Sequence, residues 1–543
     1  MESKFHDLWA AGLIPAQLKT GSITNYIAPL GNANSLLVTS AIGLSIVAIF
    51  IIRTPGALST IFNTFLHYTN IIRSIDNKGL LDGPTFSYPF GNSKERLFQS
   101  RKYSFDWAQR YGKIYRIWTG LHSEVVITTP EDVAKFYQDA NSHNKTFHRR
   151  SGWVTNSVLG EAVGFVSGDR WRVFRKILDP LVSNSVAVKH IPRINRAGLE
   201  FVASIPNVRI DKGGANDPLI ISAATTFMPF PLLETSRVFF GEMDDTEKAE
   251  LLEIGGIYSK ALLLLFENGP FRRWLGYWMH TPSEYKATKN FLNRWDLFND
   301  KIAQIRQDKN DLPITQLWKH VHQGTITQKE LIQTITEMTY TNLDVTSHVI
   351  TTTCLFLADN SATQDALLVE IELHRNDVEK YLGRKDTLLH YAFLEAMRLQ
   401  PVLPFTLPEA SITDKELGGY HIPKHTSVTT DSYGLNIRNP FWGPNATEYQ
   451  PMRFETISPI ELIRNMNAFG YGSRKCLGQY FADKQLRSLV MHLFDKYDVS
   501  WHNRSQTDVA FDTDKSSHVD VFNVELCLTQ RARTNFKASH AGL

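Results

Sequence analysis

The ten residues Phe469-Gly-Tyr-Gly-Ser-Arg-Lys-Cys-Leu-Gly478 constrain this chain more than any other stretch. Gly470 and Gly472 allow a tight turn, and Cys476 follows at the start of an amphipathic helix read from about Leu477 to Lys496. A cysteine placed there has its thiolate stabilised by free backbone N–H groups and the helix dipole. Arg474 supplies a cation that can meet a carboxylate, Phe469 an apolar ring over the sulfur, and Gly478 room for a flat partner. An ionised sulfur, a dry shell and a propionate partner are what a thiolate bond to haem iron needs. The bland alternative is a buried structural cysteine on a glycine turn. Five defined residue types within ten positions argue against coincidence.

Composition narrows the setting. The 543 residues are 43% hydrophobic and 21% charged, ordinary for a folded protein. A net charge of +3 gives no reason to expect nucleic acid as a partner. Three cysteines (Cys354, Cys476, Cys527) exclude a disulfide scaffold and suit a reducing compartment. Of the two outside the loop, Cys354 reads as a small core residue and Cys527 has no assigned role.

At every defined position the loop resembles the haem-ligand signature of the cytochrome P450 superfamily, F-x-x-G-x-R-x-C-x-G. Further motifs follow the same order. Glu395 and Arg398 lie three apart on a helix starting at Asp386 or Thr387, and Pro451-Met-Arg-Phe454 precedes the loop. Alone, that pair reads as a solvated ion pair. The resemblance makes it the E-x-x-R helix, joined by Arg453 in a buried structural clamp. Trp171 and Arg175, one turn apart in Gly168–Arg175, resemble the W-x-x-x-R helix that reaches a haem propionate; otherwise they read as a basic helix with a core tryptophan.

The resemblance covers about residues 86–530 and implies a mainly α P450 fold, a large helical domain with a small β-sheet region. It implies haem b with Cys476 as the axial iron ligand, bound also by Arg474, Phe469, Gly478, Trp171 and Arg175. It further implies monooxygenation of a hydrophobic small molecule using dioxygen. No nucleotide-binding G-x-G-x-x-G follows a strand. Electrons are therefore expected from an NADPH–cytochrome P450 reductase, with cytochrome b5 as a second donor. Arg170, Arg172, Lys176, Lys475, Lys484 and Arg487 are read as the basic docking face.

Ser35–Ile52 is an uncharged run of 18 residues. At about 1.5 Å per residue it spans roughly 27 Å, near the thickness of a bilayer core. We read residues 1–30 as a lumenal lead, 31–53 as a transmembrane anchor, 54–88 as a juxtamembrane helix and linker, and 89–543 as the catalytic domain. Arg53, Arg73 and Lys78 favour the catalytic part in the cytosol, on the endoplasmic reticulum.

The oxygen-side helix, read as continuous from Leu331 to about Ala358, departs from the family pattern of a small residue, glycine, any residue, an acid and two hydroxyls. Here Thr341-Asn-Leu-Asp-Val-Thr346 keeps the acid as Asp344. Asn342 replaces the glycine, Val345 takes the first threonine's place, and Thr346 is turned about 100° around the helix. Asp344, with Asn342 and Thr346, is expected to manage protons. Val345 leaves two rivals open: a haem-thiolate isomerase or peroxygenase needing no reductase, and a degenerate haem-binding membrane protein. Pro401–Ser411 also lacks an arginine where many members bind a propionate. Tyr340, Leu343, Leu403–Leu407, Val521 and Phe522 are read as substrate wall. His320 and His322 read as surface residues, and the glycosylation pattern at Asn144 is discounted for a cytosolic face. The polar lead and the N-x-D-V-T helix resemble fungal secondary-metabolism members.

Overall fold

Thr327 and Glu330 close a capping box, each side chain accepting the other's backbone N–H, and a helix starts at Gln328. In the same way Thr387 caps the helix Leu388–Leu399, which ends before Pro401. Such local signals set most of the helices in the computed structural model, which describes residues 40–45, 53–54, 56–146, 152–211, 213–214, 217–267, 280–502 and 524–531. The chain divides into two units, Met1–Phe65 and Leu66–Leu543, and every motif above lies in the second.

Most strands are short. A five-stranded sheet has the order β1-β2-β8-β5-β3, formed by β1 (Ile114–Thr119), β2 (His122–Ile127), β3 (Asn144–Lys145), β5 (Glu409–Ala410) and β8 (Ser427–Thr430). Its β2–β8 pair is parallel, with Val125 opposite Val428, and its other pairs are antiparallel. A second sheet joins β4 (Leu219–Ser222), β10 (Glu525–Gln530) and β9 (Tyr497–Trp501); β6 (Lys415–Leu417) and β7 (Tyr420–Ile422) form a hairpin. The rest of the second unit is mainly helical.

The oxygen-side segment is two helices, Gln328–Tyr340 and Asn342–Ala358, rather than one. The interruption at Thr341 has a local cause. The hydroxyl of Thr341 donates to the Glu337 carbonyl, the Asn342 amide to Met338 and the Thr346 hydroxyl to Asn342. Side chains that donate back to the preceding turn compete with the backbone ladder and bend a helix. Beyond the break, Ile350, Cys354 and Leu357 pack in one buried cluster with Leu389, Phe393, Leu489 and Phe494. That packing holds the second half against the Leu388–Leu399 helix and the Gln479–Lys496 helix that follows the cysteine loop.

Those last two helices are also joined by charge. Asp483 receives Arg487 at 2.7 Å, His390 at 3.1 Å and Lys484 at 3.3 Å, all inside the protein. Lys484 and Arg487 therefore do not belong to a basic surface, because each is fully buried and neutralised from within.

Of the uncharged N-terminal run, residues 40–45 are described, as helix, and the remainder lies outside the described residues. Among the described residues no helix is long and apolar enough to cross a membrane. The helix after it runs Ala57–Thr69.

Removing the anion at Asp483 leaves the Arg487 and Lys484 cations facing each other in the interior. Asp483→Asn should lower stability by about 3 kcal/mol or more, read as a fall in thermal midpoint. Asn184→Ala, which touches Lys484 at 3.5 Å from the edge of the network, should change the midpoint little.

Candidate active site

The cysteine loop is closed by its own backbone: the Cys476 N–H donates to the Phe469 carbonyl at 2.7 Å. Gly470 and Gly472 take φ of 80° and 62°, the left-handed region in which a side chain is strained. At Gly472 a Cβ would also meet Ala140 at 2.8 Å. The following helix starts at Gln479, and the backbone N–H groups of Gly478 and Gln479 point at the sulfur. Burial pushes the Cys476 thiol up; those two N–H groups and the Arg175 charge pull it down, and Glu337 opposes them. The residue nevertheless keeps accessible surface. Accessible surface combined with strong desolvation means that it opens on to a space enclosed by protein.

Trp171 is sandwiched by cations. The Arg474 guanidinium lies 4.6 Å from its ring centre and that of Arg175 5.9 Å. Arg175 pairs with Asp179 at 2.7 Å and donates to the Lys475 carbonyl at 3.3 Å. Among the described residues Arg474 makes no carboxylate contact: its terminal nitrogens donate to the carbonyls of Val166 and His143, and its Nε is buried without a partner. Burial and the neighbouring Arg175 hold this arginine below its ordinary range, with Glu409 opposing.

Behind the loop, Glu395 and Arg398 are both fully buried. Arg398 grips Glu395 through two nitrogens at 2.6 and 2.8 Å, and Arg453 Nε reaches the same carboxylate at 2.9 Å. The remaining guanidinium hydrogens of Arg398 go to the carbonyls of Asn436, Ala446 and Glu448. The face of that guanidinium lies 4.9 Å from the Trp442 ring centre. This triad contacts no space near Cys476 through its charges, which are spent on one another and on backbone.

On the oxygen side, Asn342 and Thr346 have their donors turned into their own helix. Asp344 does not: burial alone raises its carboxyl, and it keeps partial exposure. Tyr340 and Leu343 are not wall residues. Tyr340 stacks on Tyr258 at 5.2 Å, meets Trp295 edge-on and donates to the Leu251 carbonyl, while Leu343 is buried in the same cluster. Phe405, from the Leu403–Leu407 segment, packs on Trp107 in a separate cluster. Val521 and Phe522 lie outside the described residues.

Comparison with known proteins decides the family. Residues 82–518 match the family described as Cytochrome P450. This chain belongs to the cytochrome P450 family. It is 35% identical to cytochrome P450 monooxygenase hasH of Aspergillus fumigatus, over 89% of this chain and 90% of that protein. It is 32% identical to cytochrome P450 monooxygenase sirC of Leptosphaeria maculans, over 84% and 90%. Cytochrome P450 monooxygenase gliC of Aspergillus fumigatus is 28% identical over 82% and 88%.

Membership implies a thiolate-ligated haem, and the P450's own residues fit one. A sulfur facing an enclosed space, a glycine whose Cβ would stand 4.0 Å from that sulfur, and an orphaned buried guanidinium nitrogen beside a tryptophan are what a flat dianionic cofactor requires. In that role Cys476 would hold the iron and Arg474, Trp171 and Arg175 the propionates. The basic face is smaller than the sequence suggests. Arg170 is spent on Glu330. Arg172, Lys176 and Lys475 remain exposed, the first of them paired with Asp169.

Two features of this P450 are not visible in its motifs. Where an arginine is absent after the clamp helix, Glu409 instead gathers Lys145 at 2.5 Å and His143 at 3.2 Å. The second is Glu337, a carboxyl in the helix that precedes the oxygen-side residues, partly accessible yet pushed up to about 7 by burial.

Burial opposes the charge on Glu409, but Lys145, His143 and Arg474 prevail and lower its carboxyl to about 2. A carboxyl lowered in the folded state adds stability that is complete above its unfolded value near 4.5 and fades as pH falls toward 2. Glu409→Gln should therefore show a lower thermal midpoint at pH 7 and a shallower loss between pH 6 and pH 3 than the parent.

Proposed function

We propose that this P450 is a membrane-anchored monooxygenase that oxidises a hydrophobic small molecule, an intermediate of secondary-metabolite biosynthesis. The observation that carries the reading is Cys476, held by a closed glycine loop with its sulfur toward an enclosed space. Haem bound there supplies dioxygen activation, with two electrons from NADPH delivered through a reductase. The protein does the rest. The Gly478 and Gln479 N–H groups stabilise the thiolate, and the Glu395–Arg398–Arg453 clamp keeps the loop in register. Asp344 holds the proton on the oxygen side, since burial raises its carboxyl and so favours the protonated form. Asn342 and Thr346 shape the helix there rather than carry protons.

Several further elements belong to this reading. The run 31–53 anchors the chain in the endoplasmic reticulum, with residues 1–30 lumenal, 54–88 as linker and 89–543 catalytic on the cytosolic side; its uncharged length supports this. NADPH–cytochrome P450 reductase, and cytochrome b5 where present, dock on Arg172, Lys176 and Lys475. The similarity to named fungal monooxygenases supports a biosynthetic substrate.

The carbon monoxide difference spectrum of reduced membranes tests the core of this. A red-shifted thiolate-type Soret band is expected, absent from Cys476→Ala. Well-folded parent protein without any haem signal would overturn the assignment. With a reductase supplied, Asp344→Asn should lower product formation at least about tenfold and Thr346→Ala less than about threefold. Turnover driven by a hydroperoxide but never by NADPH and reductase would instead select a peroxygenase, a reading that Val345 favours.

A further inference from the structure

Glu337 is the one strongly desolvated carboxyl near Cys476 that the proposed chemistry leaves without a task. It lies on the helix Gln328–Tyr340, which ends just before the one that carries Asp344, and its charge acts on Cys476. Its Oε2 accepts the Gly164 backbone N–H at 2.9 Å, and no other hydrogen bond reaches this carboxyl among the described residues. The approach depends on glycine, because a Cβ at position 164 would lie 1.8 Å from Oε1. Holding the loop does not require an acid here. Gln333 already accepts the Glu161 N–H at 2.6 Å and donates to the Ser157 carbonyl at 2.7 Å, and Thr334 accepts from Val163 at 3.2 Å.

A carboxyl in this place is expensive. Among the described residues no cation touches it: Lys145 acts on it only at a distance and is itself paired with Glu409. Its charge also acts on Cys476 and Tyr258, neither of which is a cation. Yet the residue retains accessible surface, and it lies close enough to Cys476 for its charge to act there. A partly accessible acceptor with a free oxygen and no second donor among the described residues is matched by a donor brought from outside.

We propose that Glu337 is a specificity-determining residue that receives a nitrogen-bound hydrogen of the substrate, so that this P450 takes hydrophobic molecules bearing an amine or amide N–H. The inference rests on the haem-thiolate reading above. It predicts that a donor on a bound ligand is favoured over an apolar group of the same shape, and that Gly164 is needed to leave the carboxyl in place.

The test uses full-length protein in membranes and two iron-binding probes, 4-phenylimidazole with an aminomethyl group and the same compound with an ethyl group, each as meta and para isomers. Dissociation constants come from the Soret shift on titration. Glu337→Gln keeps an acceptor for the Gly164 N–H and removes the charge. The ratio of aminomethyl to ethyl affinity should fall at least tenfold in Glu337→Gln for one isomer or both, and fall likewise in Gly164→Ala. An unchanged ratio for both isomers in Glu337→Gln, with the thiolate-type carbon monoxide band intact, overturns the proposal. Absence of that band in the parent protein overturns the haem-thiolate reading itself, a separate result.

Discussion

The buried contact between Arg398 and Glu395 is the constraint on which the rest of the site depends. Two charges with no exposure persist in a protein interior only when every hydrogen-bonding position is used. Here Arg398 meets that demand by binding the Glu395 carboxylate and the carbonyls of Asn436, Ala446 and Glu448, and Arg453 completes the carboxylate. The Asn436 carbonyl ends the short helix Ser432–Asn436, and those of Ala446 and Glu448 belong to the irregular stretch after it, on the way to the cysteine loop. A stretch with little regular structure is thereby given a defined path. The loop then needs only its two glycines and the Cys476–Phe469 backbone bond to present the sulfur.

A second constraint acts on the opposite side. Side chains in Thr341–Thr346 donate into the preceding turn, and the helix is interrupted where the family's oxygen chemistry takes place. The same bonds turn the Asn342 amide and the Thr346 hydroxyl toward backbone carbonyls, while burial raises the Asp344 carboxyl. Replacing threonine by valine at position 345 is therefore accompanied by a different distribution of hydroxyls, not merely by the loss of one.

The acids of this site differ because their surroundings differ. Glu409 has Lys145, His143 and Arg474 around it and stays ionised well into acid. Glu337 and Asp344 have burial without a cation in contact, and both are raised. One set anchors charge beside Arg474. The other keeps groups that burial makes easier to protonate.

Much of this was legible in the chain itself. Residues whose role depends on near neighbours in sequence could be read directly: the glycine turn before Cys476, the three-residue spacing of Glu395 and Arg398, and the capping box at Thr327. These are short-range patterns, set by backbone geometry and helical period, and the order of the motifs identified the family. Roles that depend on what faces a side chain from elsewhere could not be read. Lys484 and Arg487 look like surface cations until Asp483 and His390 are seen to enclose them. Tyr340 looks like a pocket residue until Tyr258 and Trp295 occupy its ring. Glu337 looks like an ordinary polar position on a helix until Gly164, 173 residues away, is brought against its carboxyl. Burial and partner are properties of the packed molecule, and they decide whether a charge is a surface ornament, a structural tie or a chemical group.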